Sequence, residues 1–202
     1  MSSALGIAGC VLLCLAVAAS GLRLEMRAPR VRYAILAAAA VLLFVPVGGI
    51  PVVAYVRGVT GDLSAATLAL ASGALFFRLT GRTAIEPREA RALLRAVAAA
   101  ALFLYPFALG WTPYDPYALG YASIPFVTAL LVATLAAWRA GLKLIVLVVL
   151  VGGLAYLAGA YESRNLWDYL IDPLAAMYAL GVLLATAGRK LLPQRRHSAP
   201  VV

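Results

Sequence analysis

Apolar stretches separated by short polar segments organise this chain. Seven of them run over residues 5–22, 33–56, 63–79, 93–110, 122–138, 144–161 and 174–191. As helices rising about 1.5 Å per residue, they match a hydrocarbon core about 30 Å thick. The fourth stretch extends backward, because Glu86-Pro87 with Glu89 reads as a helix start. The pattern predicts an all-α, polytopic integral membrane protein of about seven transmembrane helices. One helix is N-terminal and six form three hairpins. Residues 1–192 are then a single transmembrane domain, and residues 193–202 a disordered basic cytoplasmic tail.

Charge gives the pattern a direction. Arg23, Arg27, Arg30 and Arg32 follow the first stretch, and Arg78, Arg82, Arg88, Arg91 and Arg95 surround the third connection. Arg139 and Lys143 sit in the fifth, and Arg189, Lys190, Arg195 and Arg196 close the chain. The second, fourth and sixth connections hold only Arg57 and Arg164. Basic loops stay in the cytoplasm, so the N-terminus is expected outside and the C-terminus inside. An odd number of spans keeps every basic cluster on one side. The first stretch lacks the basic leader of a signal peptide, although Ala18-Ala19-Ser20 resembles a cleavage site.

Composition agrees with a bilayer setting. Hydrophobic residues make up 64% of the 202 and charged residues 12%, against about half and a quarter in soluble domains. The net charge of +9 does not indicate nucleic acid, because 15 of the 17 basic residues lie in clusters between apolar runs. Alanine and arginine usage points to a bacterial source. The expected location is the inner membrane, multi-pass, with the lipid bilayer as first partner.

Polar chemistry is one-sided. Asp62, Asp115, Glu162, Asp168 and Asp172 fall outside, and nine of the ten tyrosines lie in the outer half. Pro46, Pro51, Pro106, Pro113, Pro116, Pro125 and Pro173 share that half. Proline removes a helix hydrogen bond and bends the chain. Pro46-Val47-Gly48-Gly49-Ile50-Pro51 should therefore break the second helix near its outer end. A bundle tight inside and splayed outside, around an outward-opening cavity, is the expectation.

Much enzyme chemistry is excluded. The single histidine, His197, lies in the tail, so no Ser–His or Cys–His arrangement forms within the bundle. No phosphate-binding loop, H-E-x-x-H or G-x-G-x-x-G motif is present. Cys10 and Cys14 stand four apart on one apolar stretch and read as small buried hydrophobes. No cofactor is expected. Clustered carboxylates suit a hard divalent cation in principle, but their spacing does not specify one.

Asp62, Asp115 and Asp172 look like helix caps, two of them directly before proline. Glu162, Arg164 and Asp168 lie in a segment that, if helical, places Arg164 and Asp168 one turn apart. Leu166, Trp167, Leu170 and Ile171 would then form the apolar side of a short re-entrant or interfacial helix closing the cavity. Arg57 stands against the charge bias, either as a counter-ion for Asp62 or as a bidentate holder of phosphate or carboxylate.

These residues suggest recognition of a phosphate- or sugar-bearing headgroup. The candidate acid–base groups are Glu162 and Asp168. The candidate binding groups are Arg57, Arg164, Asp62, Asp115, Tyr114, Tyr117, Tyr161, Trp167, Tyr169 and Asp172. The leading expectation is a protein of envelope lipid or polysaccharide metabolism, acting as an enzyme or as a subunit presenting a lipid-linked substrate to a partner membrane enzyme. A small-solute transporter or channel is the first alternative, weakened by the absence of a central ionisable residue in any span. A structural or assembly protein is the second.

Overall fold

The computed structural model describes residues 2–110 and 113–191. Trp111 and the tail 193–202 lie outside the described residues. Among the described residues the chain is all-α apart from one two-residue hairpin. The helices are α1 (Ser2–Gly21), α2 (Pro29–Phe44), α3 (Val52–Thr60), α4 (Ala65–Thr80), α5 (Pro87–Ala108), α6 (Ile124–Arg139), α7 (Lys143–Leu157), α8 (Leu166–Leu170) and α9 (Pro173–Leu191). A 3-10 turn covers Pro116–Gly120. Two helices, α1 and α5, contain stretches long and apolar enough to cross a membrane, at Ala4–Gly21 and Pro87–Phe107. α4, α6, α7 and α9 contain shorter apolar runs.

The second apolar stretch is not one bent helix. α2 stops at Phe44, and Pro46–Val47 (β1) pairs antiparallel with Ile50–Pro51 (β2) before α3 begins. Gly48 and Gly49 make the reversal at φ 60° and 85°. A two-residue hairpin with both central residues at positive φ favours glycine there. The Tyr55 hydroxyl donates to the Val47 carbonyl at 2.8 Å and ties α3 back to the hairpin. The sixth stretch is also shorter than its apolar run, since α7 ends at Leu157 and Gly159 turns the chain at φ 59°.

Hydrogen bonds gather the connections at two opposite ends of the bundle. At the basic end, Arg32 donates to the Leu79 carbonyl at 2.6 Å and to the Glu25 carbonyl at 3.0 Å, and Arg78 pairs with Glu25. There too Arg88 donates to the Ala140 carbonyl at 3.1 Å, and the Lys143 amide to Glu89 Oε1 at 2.9 Å. The other end holds the hairpin, the 3-10 turn, α8 and most tyrosines; we call it the tyrosine end.

α8 with its flanks is driven into the bundle rather than laid on it. Leu166, Trp167, Tyr169, Leu170 and Ile171 are all buried, in one core with Leu93, Leu94 and Val97 of α5 and Leu144 and Val148 of α7. Gly152 of α7 admits this plug. A Cβ there would stand 2.9 Å from Leu170 Cδ2 and 3.0 Å from the Tyr169 carbonyl.

At the basic end a 690 Å³ groove lies between α4 and α7, open at the side of the bundle, against 370 Å³ for the tyrosine-end cavity. Small residues explain it: Ala69, Ser72 and Gly73 of α4 leave a trough opposite Leu147 and Leu150 of α7.

Candidate functional site

The tyrosine-end cavity is built by three connections and two helices. Thr60, Gly61 and Asp62 come from the α3–α4 link, Leu104 and Tyr105 from α5, and Tyr117 from the 3-10 turn. Tyr161, Ser163 and Asp168 come from the plug, and Asp172 and Pro173 from the start of α9. At 370 Å³ it falls within the range of about 300–1,000 Å³ common for small-ligand sites.

Each carboxylate is held differently. Asp172 is almost fully buried and its two oxygens serve two helices. Oδ1 accepts from the Ala175 amide at 2.7 Å, capping α9, and Oδ2 accepts from the Ser64 amide at 2.8 Å, joining α9 to the start of α4. Asp62 does not cap α4; Ser64 does, accepting from the Thr67 amide at 3.3 Å. Asp62 instead accepts from Arg57 Nε at 2.9 Å. Gly6 of α1 lies against this pair, and a Cβ there would overlap both side chains.

Asp168 is the carboxylate presented with hydroxyl groups. Its Oδ2 accepts from the Tyr117 hydroxyl at 2.9 Å and from Ser163 Oγ at 2.5 Å. Burial, then the hydrogen bond to Asp168, pushes the Tyr117 phenol well above its usual range. The Tyr161 hydroxyl donates to the Leu63 carbonyl at 2.7 Å. Both phenols serve as donors and offer stacking faces.

The segment before α8 is not helical, which separates Arg164 from Asp168. Asn165 caps α8, accepting from the Trp167 amide at 3.0 Å. Its Nδ2 donates to the Tyr117 carbonyl at 2.8 Å, and the residue is fully buried. Gly120 makes room for this carboxamide; a Cβ would collide with it. Arg164 and Glu162 are exposed and line no part of the cavity.

The remaining candidates take up supporting places. Trp167 is buried, stacks near Phe126 at 4.4 Å and donates its indole N–H to the Pro116 carbonyl at 3.1 Å. Tyr169 is buried, stacks on Tyr161 at 5.1 Å and donates to the Ser163 carbonyl at 2.9 Å. Asp115 caps the 3-10 turn through the Tyr117 amide at 2.9 Å. Tyr114 is exposed and meets Phe107 edge-on. The cavity thus gathers Asp62, Asp168, Asp172, Tyr117 and Tyr161, with Arg57 behind Asp62. It leaves Glu162, Arg164, Tyr114, Asp115, Trp167 and Tyr169 outside its lining.

Four lining or framing groups carry signals that sequence reasoning passed over. Asn165 precedes an apolar run as a cap does. Ser163 stands two residues before it. Ser64 is the true cap beside the more conspicuous Asp62. Tyr105 sits one residue before the helix-internal Pro106. Among the described residues, no group of three or more His, Cys, Asp or Glu side chains is arranged to hold a metal ion.

Comparison with protein families, with curated proteins and with solved structures gives no match.

Proposed function

We propose that this chain is a multi-pass protein of the bacterial inner membrane that holds a sugar-bearing headgroup of an envelope lipid or polysaccharide precursor in the tyrosine-end cavity. α1, α2, α4, α5, α6, α7 and α9 cross the bilayer, with the basic end in the cytoplasm and the tyrosine end outside. The alternation of basic and acidic connections supports that sidedness. The helices of 15 or 16 residues span only about 24 Å. At the tyrosine end, the hairpin with α3 and the α8 plug make up the remaining thickness. Such irregular backbone is tolerated at depth when packed against protein.

The cavity lining carries the choice of ligand. Three carboxylates and three phenols face it, joined by Ser163 and Thr60, and among the described residues no basic side chain lines it. A phosphate would meet repulsion there. A hydroxyl-rich group finds acceptors on Asp62 and Asp168 and aromatic faces on Tyr105, Tyr117 and Tyr161. Should the protein be an enzyme, Asp168 is the group placed for general acid–base work. As an accessory subunit it would present the same headgroup to a partner.

Lipids copurifying with the protein test this reading. Wild-type protein should retain a glycolipid that Asp168→Asn and Tyr117→Phe each reduce at least about tenfold. Equal retention by all three proteins would overturn it.

A further inference from the structure

Away from the tyrosine-end site, the 690 Å³ trough between α4 and α7 pairs apolar walls with a basic mouth. Ala69, Ser72 and Gly73 form one wall, and Leu147 and Leu150 the other. The trough runs from Leu150 down to Lys143, seven residues or about 10 Å along α7. Leu147 and Leu150 remain more than half exposed, at 53% and 55%, so the trough opens sideways rather than into the bundle. Ile85 closes one flank by packing over Gly73, where a Cβ would collide with it.

The mouth lies at the basic end. Trp138 lines it and is 68% exposed, as suits an indole at the headgroup level. Lys143 lines it and is exposed, while Arg139 follows Trp138 and Arg82 lies two residues before Ala84 at the opposite rim. The one acid in the lining, Glu89, is already engaged by the Lys143 amide at 2.9 Å. Among the described residues neither Lys143 nor Arg139 nor Arg82 is in an ion pair.

We infer that this trough binds an anionic glycerophospholipid of the cytoplasmic leaflet. One acyl chain lies between α4 and α7, and the phosphate sits at Lys143 with Arg139 and Arg82. Charge complementarity selects this occupant: a basic rim over an apolar slot between helices is the arrangement that holds acidic headgroups. Each basic residue near such a headgroup contributes about fivefold in affinity. The site rests on the bilayer reading but not on the tyrosine-end ligand.

Native mass spectrometry of protein from carbonate-washed membranes tests it, with phosphatidylglycerol and phosphatidylcholine offered at equal concentration. Phosphatidylglycerol should be retained at least about tenfold better, and Lys143→Ala with Arg139→Ala should erase most of that preference. Both side chains are exposed, so their loss leaves the packing intact. A brominated-chain phosphatidylglycerol, added stoichiometrically in detergent, should quench the fluorescence component that Trp138→Phe removes. Equal retention of the two lipids, a preference unmoved in the double variant, or absence of that quenching overturns the proposal. Recovery of the protein in washed membranes is read separately, so failure of the bilayer reading is distinguishable.

Discussion

Guanidinium groups tie the connections together at the basic end of the bundle, whereas carboxylates, phenols and a carboxamide do so at the tyrosine end. The basic-end ties engage Arg88, which is exposed, and the partly exposed pair Arg78–Glu25. The tyrosine-end ties run through Asp172, Asn165 and Ser64, at 4%, 0% and 0% exposure. A hydrogen bond exchanged with water contributes little net stability, while a buried donor left without a partner costs its full desolvation. The comparison teaches that conspicuous charge and structural weight lie at opposite ends. The proposed orientation rests on the end rich in arginine, while the quieter end fixes the shape of the cavity.

Substitution measures the difference directly. Asp172→Ala should be the most damaging, because it strands the Ser64 and Ala175 amides; a loss of about 2–4 kcal/mol in reversible unfolding in detergent is expected. Gly120→Ala should follow at about 2–3 kcal/mol, since the new methyl displaces the buried Asn165 carboxamide. Tyr117→Phe should cost about 1 kcal/mol by removing one hydrogen bond to Asp168. At the basic end Arg88→Ala should stay within about 0.5 kcal/mol. Equal losses from Asp172→Ala and Arg88→Ala would break the comparison.

Titration sharpens it further. The folded Tyr117 phenol titrates above its unfolded range, so the folded state keeps a proton that the unfolded state releases. Its contribution is complete below about pH 10 and falls as pH rises beyond it. Tyr117→Phe should flatten that alkaline decline. Glu25 at the basic end behaves oppositely. The hydrogen bond from Arg78 holds its carboxyl below the usual range, so its contribution is present above about pH 4.5 and fades on acidification. Arg78→Ala should remove that acid-side slope and leave the alkaline limb unchanged, as read from unfolding midpoints against pH.

The all-α class and the position of α1 were legible from apolar run length, and the start of α5 from Glu86-Pro87. So was the break at Pro46–Pro51, though not its form, because only the paired positive φ of Gly48 and Gly49 turns a kink into a hairpin. The alternation of charge marked which connections meet, and hydrogen bonds do join those of like character. What stayed hidden was which polar residue of a cluster turns inward. Helical spacing pairs Arg164 with Asp168, but Asn165 starts α8 one residue after Arg164 and leaves that arginine in solvent. Trp167 and Tyr169 look like ligand-facing aromatics in sequence. Their partners Phe126 and Tyr161 lie 41 and 8 residues away, so the stacking that buries them is tertiary information. Nor does sequence show a trough made by the smallness of Ala69, Ser72 and Gly73, since small residues signal close packing as readily as empty space.

The opposed placement of the two ends across a bilayer is the claim on which the functional reading depends. It is tested most directly by replacing Cys10 and Cys14 with Ala and introducing Arg164→Cys or Arg82→Cys, both at exposed positions. Intact cells are then treated with a membrane-impermeant maleimide. The Arg164→Cys protein should be labelled in intact cells and the Arg82→Cys protein only after the membrane is opened. Labelling in the reverse order, or equal labelling of both in intact cells, would contradict it.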